Sequence, residues 1–223
     1  MTHGRPAGYV PAAGQDWLLP LYDPFLRWVM RESVFKTRLV REARIAPGQR
    51  VLDLGCGTAT LTLLVERLHP EARVPGVDGD PKVLEIARQK AEAAGSRIAL
   101  DRGLCYELPY PDASFDRVLS SLVLHHLTRE QKLRTLREVA RVLAPGGSLH
   151  VVDFGKPSTA FGGQLLRVFE RGENVRDNLE GRLVEFMREA GFRDGAEAGR
   201  HRTPLASLSF YRGTKAATDD PVH

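Results

Sequence analysis

The sequence predicts an α/β protein organised as a doubly wound sheet, and three observations predict it. Val51-Leu52-Asp53-Leu54 is a short apolar run that breaks at Gly55-Cys56-Gly57 and resumes as a helical pattern, which reads as strand, tight loop, helix. A second strand-like run, Arg73 to Asp78, ends on an acid 23 positions after Gly55, where a βαβ unit presents a carboxylate to ribose hydroxyls. Strand and helix patterns then keep alternating, as a parallel sheet with crossover helices requires.

Residues 1–20 hold Gly4, Pro6, Gly8, Pro11, Gly14 and Pro20 with scattered aromatics, a composition that disfavours regular structure. From Asp23 to Ala46, Phe25, Leu26, Val29, Met30, Val34, Leu39 and Val40 recur at helical spacing, with Pro24 suited to a first helical position. Two roles stay open for this helix: packing on the sheet, or a lid over a ligand with Tyr22 near its entrance. Pro47-Gly48 turns the chain into the first strand. Gly55 and Gly57 permit a backbone path closed to residues with a Cβ and let a ligand lie against the main chain.

Asp80 reads as an N-cap with Pro81 at the first helical position, and Val83, Leu84, Ile86, Ala87, Ala91 and Ala94 carry the helix to Gly95. Arg97 to Leu100 reads as a third strand and Phe115 to Leu124 as a fourth. Thr128 and Gln131 form a capping box before a helix marked by Leu133, Leu136, Ala140 and Leu143. Pro145 and Gly146 suit a type II turn that launches a fifth strand, Ser148 to Phe154. Residues 158–180 mix Phe161, Leu165, Leu166, Val168 and Phe169 with glycines and read as a substrate-facing insertion. Leu179 to Ala190 reads as a helix stopped by Gly191. Phe192 to Arg200 and Leu205 to Arg212 read as two final strands around a Thr203-Pro204 turn. The organisation expected is an arm and helix over 1–46, one domain over 47–213 and a flexible tail over 214–223.

The 223 residues suit one such domain, and 42% hydrophobic with 27% charged residues is ordinary for a soluble globule. The net charge of +4 and pI near 9.3 come from interleaved Lys/Arg and Asp/Glu without a basic tract, a solvated surface rather than a nucleic-acid footprint. Cys56 and Cys105 have no metal-ligand spacing, and no metal site is expected. No run of 18 apolar residues and no leader-like apolar segment is found, so the expectation is a cytoplasmic chain without a membrane span, acting as a monomer or homodimer.

The dinucleotide fingerprint G-x-G-x-x-G is absent, because position 60 is Thr. Asp53-x-Gly55-x-Gly57-Thr58 instead resembles the nucleoside site of the class I S-adenosylmethionine (SAM) methyltransferases. Gly103 to Asp116, reading GLCYELPYPDASFD, is similar to a longer segment of that family, and Arg141 to Leu149 to another. Val152 to Pro157 resembles the quinone-biosynthesis C-methyltransferase branch, so the likeness covers roughly residues 45–157. It implies a Rossmann-like seven-stranded sheet closing in an antiparallel pair, with SAM as cofactor. It implies cofactor binding by Asp53, Gly55, Cys56, Gly57, Thr58, Asp78, Gly79, Leu104, Cys105 and Ser121. Leu104 stands where the family commonly has a polar contact to the adenine amino group, which leaves backbone groups around Leu104 and Cys105 to hold the base.

SAM carries its methyl on a cationic sulfur, so catalysis is chiefly positioning, worth about 7–11 kcal/mol in favourable cases. Removing the acceptor's proton contributes a further factor of roughly 10²–10⁴. His125, His126 and Asp153, at strand ends, are the candidate bases. His201 and Arg202 read as a solvated polar face. Ser120-Ser121-Leu122-Val123 replaces the N-P-P-Y or D-P-P-Y of adenine-N6 enzymes, and neither a Pro-Cys nucleophile nor a compact acidic cluster occurs. The quinone branch carries a G-L-R-N-like motif where this chain has Val123-Leu124-His125-His126. The expected activity is therefore methyl transfer to a small, partly apolar molecule. One rival is a non-catalytic binding module for SAM or S-adenosylhomocysteine, kept open by Ala59 and Leu104. The other, a nicotinamide-dependent oxidoreductase, is disfavoured by Thr60 and the Pro145-Gly146-Gly147 turn.

Overall fold

A strand flanked on both sides in a parallel sheet has no solvent face, and β1 (Val51–Leu54) is buried along its whole length. The computed structural model describes residues 32–156, 173–202 and 207–217. In it β1 pairs in parallel with β2 (Gly76–Asp78) and with β4 (Phe115–Ser121). β3 (Leu100–Arg102) adds to β2, and β5 (Leu143–Phe154) adds to β4, again in parallel. β7 (Ser207–Lys215) then runs antiparallel between β5 and β6 (Phe192–Arg202). The order is β3-β2-β1-β4-β5-β7-β6, the seven-stranded α/β sheet with an antiparallel terminal pair that was expected.

The period of two along each strand sorts the core into two layers. Leu52, Leu54, Val118, Leu149, Val151 and Tyr211 face α4 (Arg129–Val142) and α6 (Leu183–Glu189), meeting Leu136, Val139, Phe186 and Met187. Val51, Leu119, Val152 and Phe210 face the other way, onto Phe35, Leu39 and Val40 of α1 (Glu32–Glu42) and Leu61 and Val65 of α2 (Thr60–Leu68). The described part of the first helix thus packs on the sheet. Arg38 of α1 fastens it further, with its guanidinium 4.1 Å from the Phe210 ring centroid and one N–H donating to the Arg200 carbonyl at 2.9 Å. The arm, Tyr22, most of the 158–180 insertion and the Thr203-Pro204 turn lie outside the described residues.

Local signals mostly hold. Asp80 caps α3 (Pro81–Ala93) by accepting from the Lys82 N–H at 2.9 Å, with Pro81 in the first turn. Thr128 and Gln131 bond reciprocally at the start of α4. Gly146 takes φ 74°, but β5 already begins at Leu143 rather than at the expected Ser148, because Leu143 pairs with Phe115 and residues 144–147 bulge out before Ser148 pairs with Arg117. The boundaries move where backbone chemistry intervenes. Pro75 has no N–H to give the ladder, so β2 starts only at Gly76; β3 is pulled later than Arg97–Leu100 by its register on β2. β4 stops at Ser121 because Leu122 turns to φ 59°. The expected helix Leu179–Ala190 starts later, as α6 (Leu183–Glu189), and the end of the stretch read as an insertion forms a separate helix, α5 (Glu173–Leu179), parted from it by Gly181 at φ 78°. β7 continues to Lys215, two residues into the stretch read as a tail. Among the described residues no helix is long and apolar enough to cross a membrane.

Leu119 is wholly buried on β4, in the layer that joins sheet to α1 and α2. Leu119→Ala should cost about 2–5 kcal/mol in a urea titration, with the far-UV spectrum of the folded protein unchanged.

Candidate functional site

The carboxyl ends of β1, β2 and β4 open onto one set of loops, the place where open α/β sheets bind ligands. After β1 the chain passes through left-handed conformations at Gly55 (φ 68°), Gly57 (φ 55°) and Ala59 (φ 60°). The Gly55 and Cys56 N–H groups donate to the Val77 carbonyl at 2.9 and 3.0 Å, tying the loop to β2. The two glycines serve different ends. A Cβ on Gly55 would come within 2.5 Å of Val123 Cγ2, whereas one on Gly57 would meet nothing within 4 Å. Gly57 therefore leaves bare main chain facing open space. Ala59 holds the third left-handed position at some strain cost and gives α2 no side-chain cap.

Asp78 faces this loop. Its carboxylate accepts the Gly57 N–H at 3.0 Å on Oδ2 and the Asp80 N–H at 2.9 Å on Oδ1, with the Gly79 N–H also bonded to it. Burial pushes its pKa up, against the pull of these N–H groups. A carboxylate offers about four acceptor positions, so with three N–H groups bonded Asp78 keeps about one for a ligand hydroxyl. Gly103 donates to the Asp78 carbonyl at 3.1 Å, which brings the half-buried Leu104 and Cys105 beside it. A Cβ on Gly103 would run into Pro109 Cδ at 2.7 Å. The Thr58 hydroxyl is within 3.5 Å of Thr60 Oγ1 and of Lys90 Nζ.

Asp53 is placed differently from a loop-binding acid. It lies behind the loop and accepts the Thr62 hydroxyl at 2.6 Å. Burial pushes its pKa up to about 6, although the Thr62 hydroxyl and the Lys36 charge pull it down. Both cysteines are free. Burial raises the Cys56 thiol, and raises Cys105 to about 12, so neither supplies a thiolate near neutrality.

Beyond β4 the backbone reverses through Leu122, and Val123 packs against Gly55. A 3₁₀ turn, Leu124–His126, follows. Asp153, at the end of β5, commands it. One oxygen accepts the Leu124 N–H at 2.8 Å and lies 3.3 Å from the His125 N–H. The other is 2.7 Å from His125 Nδ1 and accepts the Phe154 N–H at 2.7 Å. Burial raises the Asp153 pKa, but the His125 ring and these bonds more than offset it, so the net shift is downward. With Nδ1–H donated to Asp153, His125 presents Nε2 as its acceptor. The His126 ring lies against it, centroids 3.9 Å apart; burial pushes the His126 pKa down to about 3, and its Nε2 is buried without a partner. His126 is thus a neutral wall. The Ser121 hydroxyl, at the end of β4, is likewise buried with no hydrogen-bond partner.

Polar groups of α4 and α5 secure the turn. Asn174 of α5 donates from Nδ2 to the His126 carbonyl at 3.1 Å, and its own carbonyl accepts from Lys132 Nζ. Lys132 is fully buried and sits 3.6 Å from Asp177, which also holds Arg129 at 2.7 Å. Sequence reading missed these groups, because a lysine in a polar helix looks solvated. It also missed Thr62 and Val123, which act through partners distant in the chain.

Residues 51–147 match a family model described as a methyltransferase domain. Demethylmenaquinone methyltransferase of Thermus thermophilus is 37% identical over 144 residues, 65% of this chain and 61% of that protein. Its namesake in Deinococcus radiodurans is 34% identical over 155 residues, 68% and 63%. The chain thus spans about three fifths of the length of these curated relatives. Among solved structures, the apo form of the S-adenosylmethionine-dependent methyltransferase SibL is 26% identical with a TM-score of 0.69, over 92% of this chain and 60% of that one. A SAM-dependent methyltransferase of Aquifex aeolicus is 17% identical with a TM-score of 0.66, over 91% and 99%, a likeness of fold.

The two buried acids imply opposite pH effects. Asp53, raised from 3.8 to about 6, binds its proton more tightly when folded, so stability should rise as pH falls from about 6 toward 4. Asp153, lowered, contributes stability above its unfolded value of 3.8 that is lost as pH falls through its folded value. Urea titrations at pH 7 and pH 5 should show this rise for the wild type, about 1 kcal/mol from Asp53, and should show it reduced in Asp53→Asn, with the raised Asp78 supplying what remains.

Proposed function

We propose that the chain is a class I SAM-dependent methyltransferase acting on a small, partly apolar molecule, the match of residues 51–147 to a methyltransferase-domain model being the premise. The observation that carries this reading is the bond from the Gly57 N–H to the Asp78 carboxylate, which sets an acid with spare acceptor capacity beside bare main chain. The fit to the cofactor has independent support in the buried Ser121 hydroxyl, which lacks any partner. Asp78 would hold a ribose hydroxyl, and the backbone around Gly79, Leu104 and Cys105 the base. Gly55, Cys56, Gly57 and Thr58 would line the loop, with Asp53 bracing it through Thr62. Ala59 keeps the left-handed conformation of a third glycine, which removes one reason to read a disabled binding module.

Bound SAM supplies an electrophilic methyl group. The chain's part is to align the acceptor, exclude water and take a proton. His125 takes it at Nε2, while Asp153 fixes the ring through Nδ1 and remains ionised to balance the imidazolium. His126, neutral and pressed against His125, presents an aromatic face to an apolar acceptor. Residues 47–213 form the catalytic domain in this reading, with 158–180 facing the acceptor. The relatives are named for demethylmenaquinone, and a reduced quinone has the apolar body and acidic proton this site suits. The Val123-Leu124-His125-His126 turn, in place of a G-L-R-N-like motif, argues for a related phenol or enolisable carbon acid. Two free cysteines suit a reducing compartment such as the cytoplasm.

Thermal-shift and calorimetric titrations with S-adenosylhomocysteine test the cofactor. At 100 times its Kd it should add about 2.7 kcal/mol of stability, and NAD should add none. Asp78→Ala should abolish the response. Retention of wild-type affinity would remove Asp78 from the site.

His125→Gln should lower turnover roughly 10²–10⁴-fold on whichever phenol or hydroquinone the wild type methylates, with affinity for S-adenosylhomocysteine unchanged. A wild-type rate would show that another group takes the proton.

A further inference from the structure

We infer that Asn178 of α5 binds the methyl acceptor through a paired hydrogen bond, and so selects an enolisable acceptor whose ring carries an amide, a lactam in its simplest form; the inference rests on the methyltransferase reading above. Asn178 is wholly buried, and neither its Oδ1 nor its Nδ2 has a hydrogen-bond partner. A buried polar atom left unpaired is costly, and here both ends of one amide are unpaired. Such a group asks for a partner that the chain itself does not supply. Asn174 is the same residue type four positions earlier on the same helix face, and it is engaged: its Nδ2 holds the His126 carbonyl at 3.1 Å.

The course of α5 brings this amide to the acceptor side of the site. At one end of the helix, Asn174 lies on the turn that carries His125 and His126. Just past the other end, a Cβ on Gly181 would come within 2.8 Å of Lys156 Cε, two residues beyond β5. Asn178 stands between these anchors, one helical turn, about 6 Å, from Asn174. Leu179 beside it packs in the layer that holds Phe154, and the Phe154 ring stands edge-on to His125 with centroids 4.7 Å apart. On the same turn His126 Nε2 is buried and unpartnered as well. The base, the aromatic wall and the free amide thus gather at the carboxyl end of β5. The two ends of the Asn178 side chain set an acceptor beside a donor. Another planar amide satisfies both at once, its N–H meeting Oδ1 and its C=O meeting Nδ2, as the donor and acceptor of an adenine edge do with asparagine. A ring oxygen in place of that N–H would leave Oδ1 buried and unpaired, and a site built this way rejects such an analogue strongly.

Calorimetry on the full chain saturated with S-adenosylhomocysteine tests this, with 4-hydroxy-2-quinolone and 4-hydroxycoumarin as probes. The two share a bicyclic outline and an enolisable carbon, and differ in a lactam N–H against a ring oxygen. The wild type should bind the quinolone at least tenfold more tightly, a comparison that needs no variant. N178L, close in volume and without polar side-chain atoms, should weaken the quinolone at least tenfold, bring the two probes within twofold and leave S-adenosylhomocysteine affinity unchanged. Its urea midpoint should be no lower than that of the wild type, because the amide it removes has no partner in the free protein. A lowered midpoint, or equal weakening of both probes, would mark a merely structural amide and overturn the inference. Equal binding of the two probes by the wild type, or a preference that survives in N178L, would overturn it too. A wild type that binds S-adenosylhomocysteine but neither probe would refute it and leave the cofactor site standing. A wild type that does not bind S-adenosylhomocysteine would refute the cofactor reading, and this inference with it.

Discussion

The site depends on how the chain leaves β1. A strand buried on both faces must end in a loop that satisfies its own backbone, because no water reaches it there. Here the Gly55 and Cys56 N–H groups turn back to the Val77 carbonyl, and the Gly57 N–H reaches the Asp78 carboxylate. The path needs three successive departures into the left-handed region, and Val123 closes it from the side of β4. The ends of three strands are thereby locked into one surface. Hydrogen bonds that complete the fold and groups proposed to face a ligand are the same atoms.

Asp153 plays the corresponding part on the other side of that surface. It is a buried anion, and one carboxylate partners four donors: three backbone N–H groups and the His125 ring. This arrangement explains why the neighbouring histidines differ so sharply. His125 has a carboxylate at Nδ1, whereas for His126 burial and the His125 ring outweigh the more distant pull of Asp153 and keep it neutral. Leu122, a branched residue in a left-handed conformation, supplies the reversal that aims the pair. Strain of this kind persists where surrounding structure over-determines it, and the Leu122 N–H held by the Val152 carbonyl at 2.9 Å does so.

Much of the fold was legible in local patterns. Capping at Asp80 and Thr128 and the apolar periods of the central strands are short-range effects, and they appear as read. Boundaries were less legible where the deciding residue acts on pairing, as Pro75 does for β2 and Gly181 for the split between α5 and α6. The candidate site divides the same way. Gly55, Gly57 and Asp78 announce themselves by spacing, but nothing near Asp53 in sequence points to Thr62, nine residues on, as its partner. Nothing near Lys132 marks it as buried beneath α5.

The sequence by itself determined the kind of sheet, the glycine-loop architecture and the residue types gathered at the strand ends, because each follows from local dihedral preference and periodic burial. Only the tertiary structure decided which histidine pairs with Asp153, that Asp53 serves α2 rather than the loop amides, and that Lys132 lies buried against Asn174 and Asp177. Those outcomes turn on distances of about 3 Å between groups far apart in the chain, and no local preference encodes which of several chemically equivalent partners will be within reach.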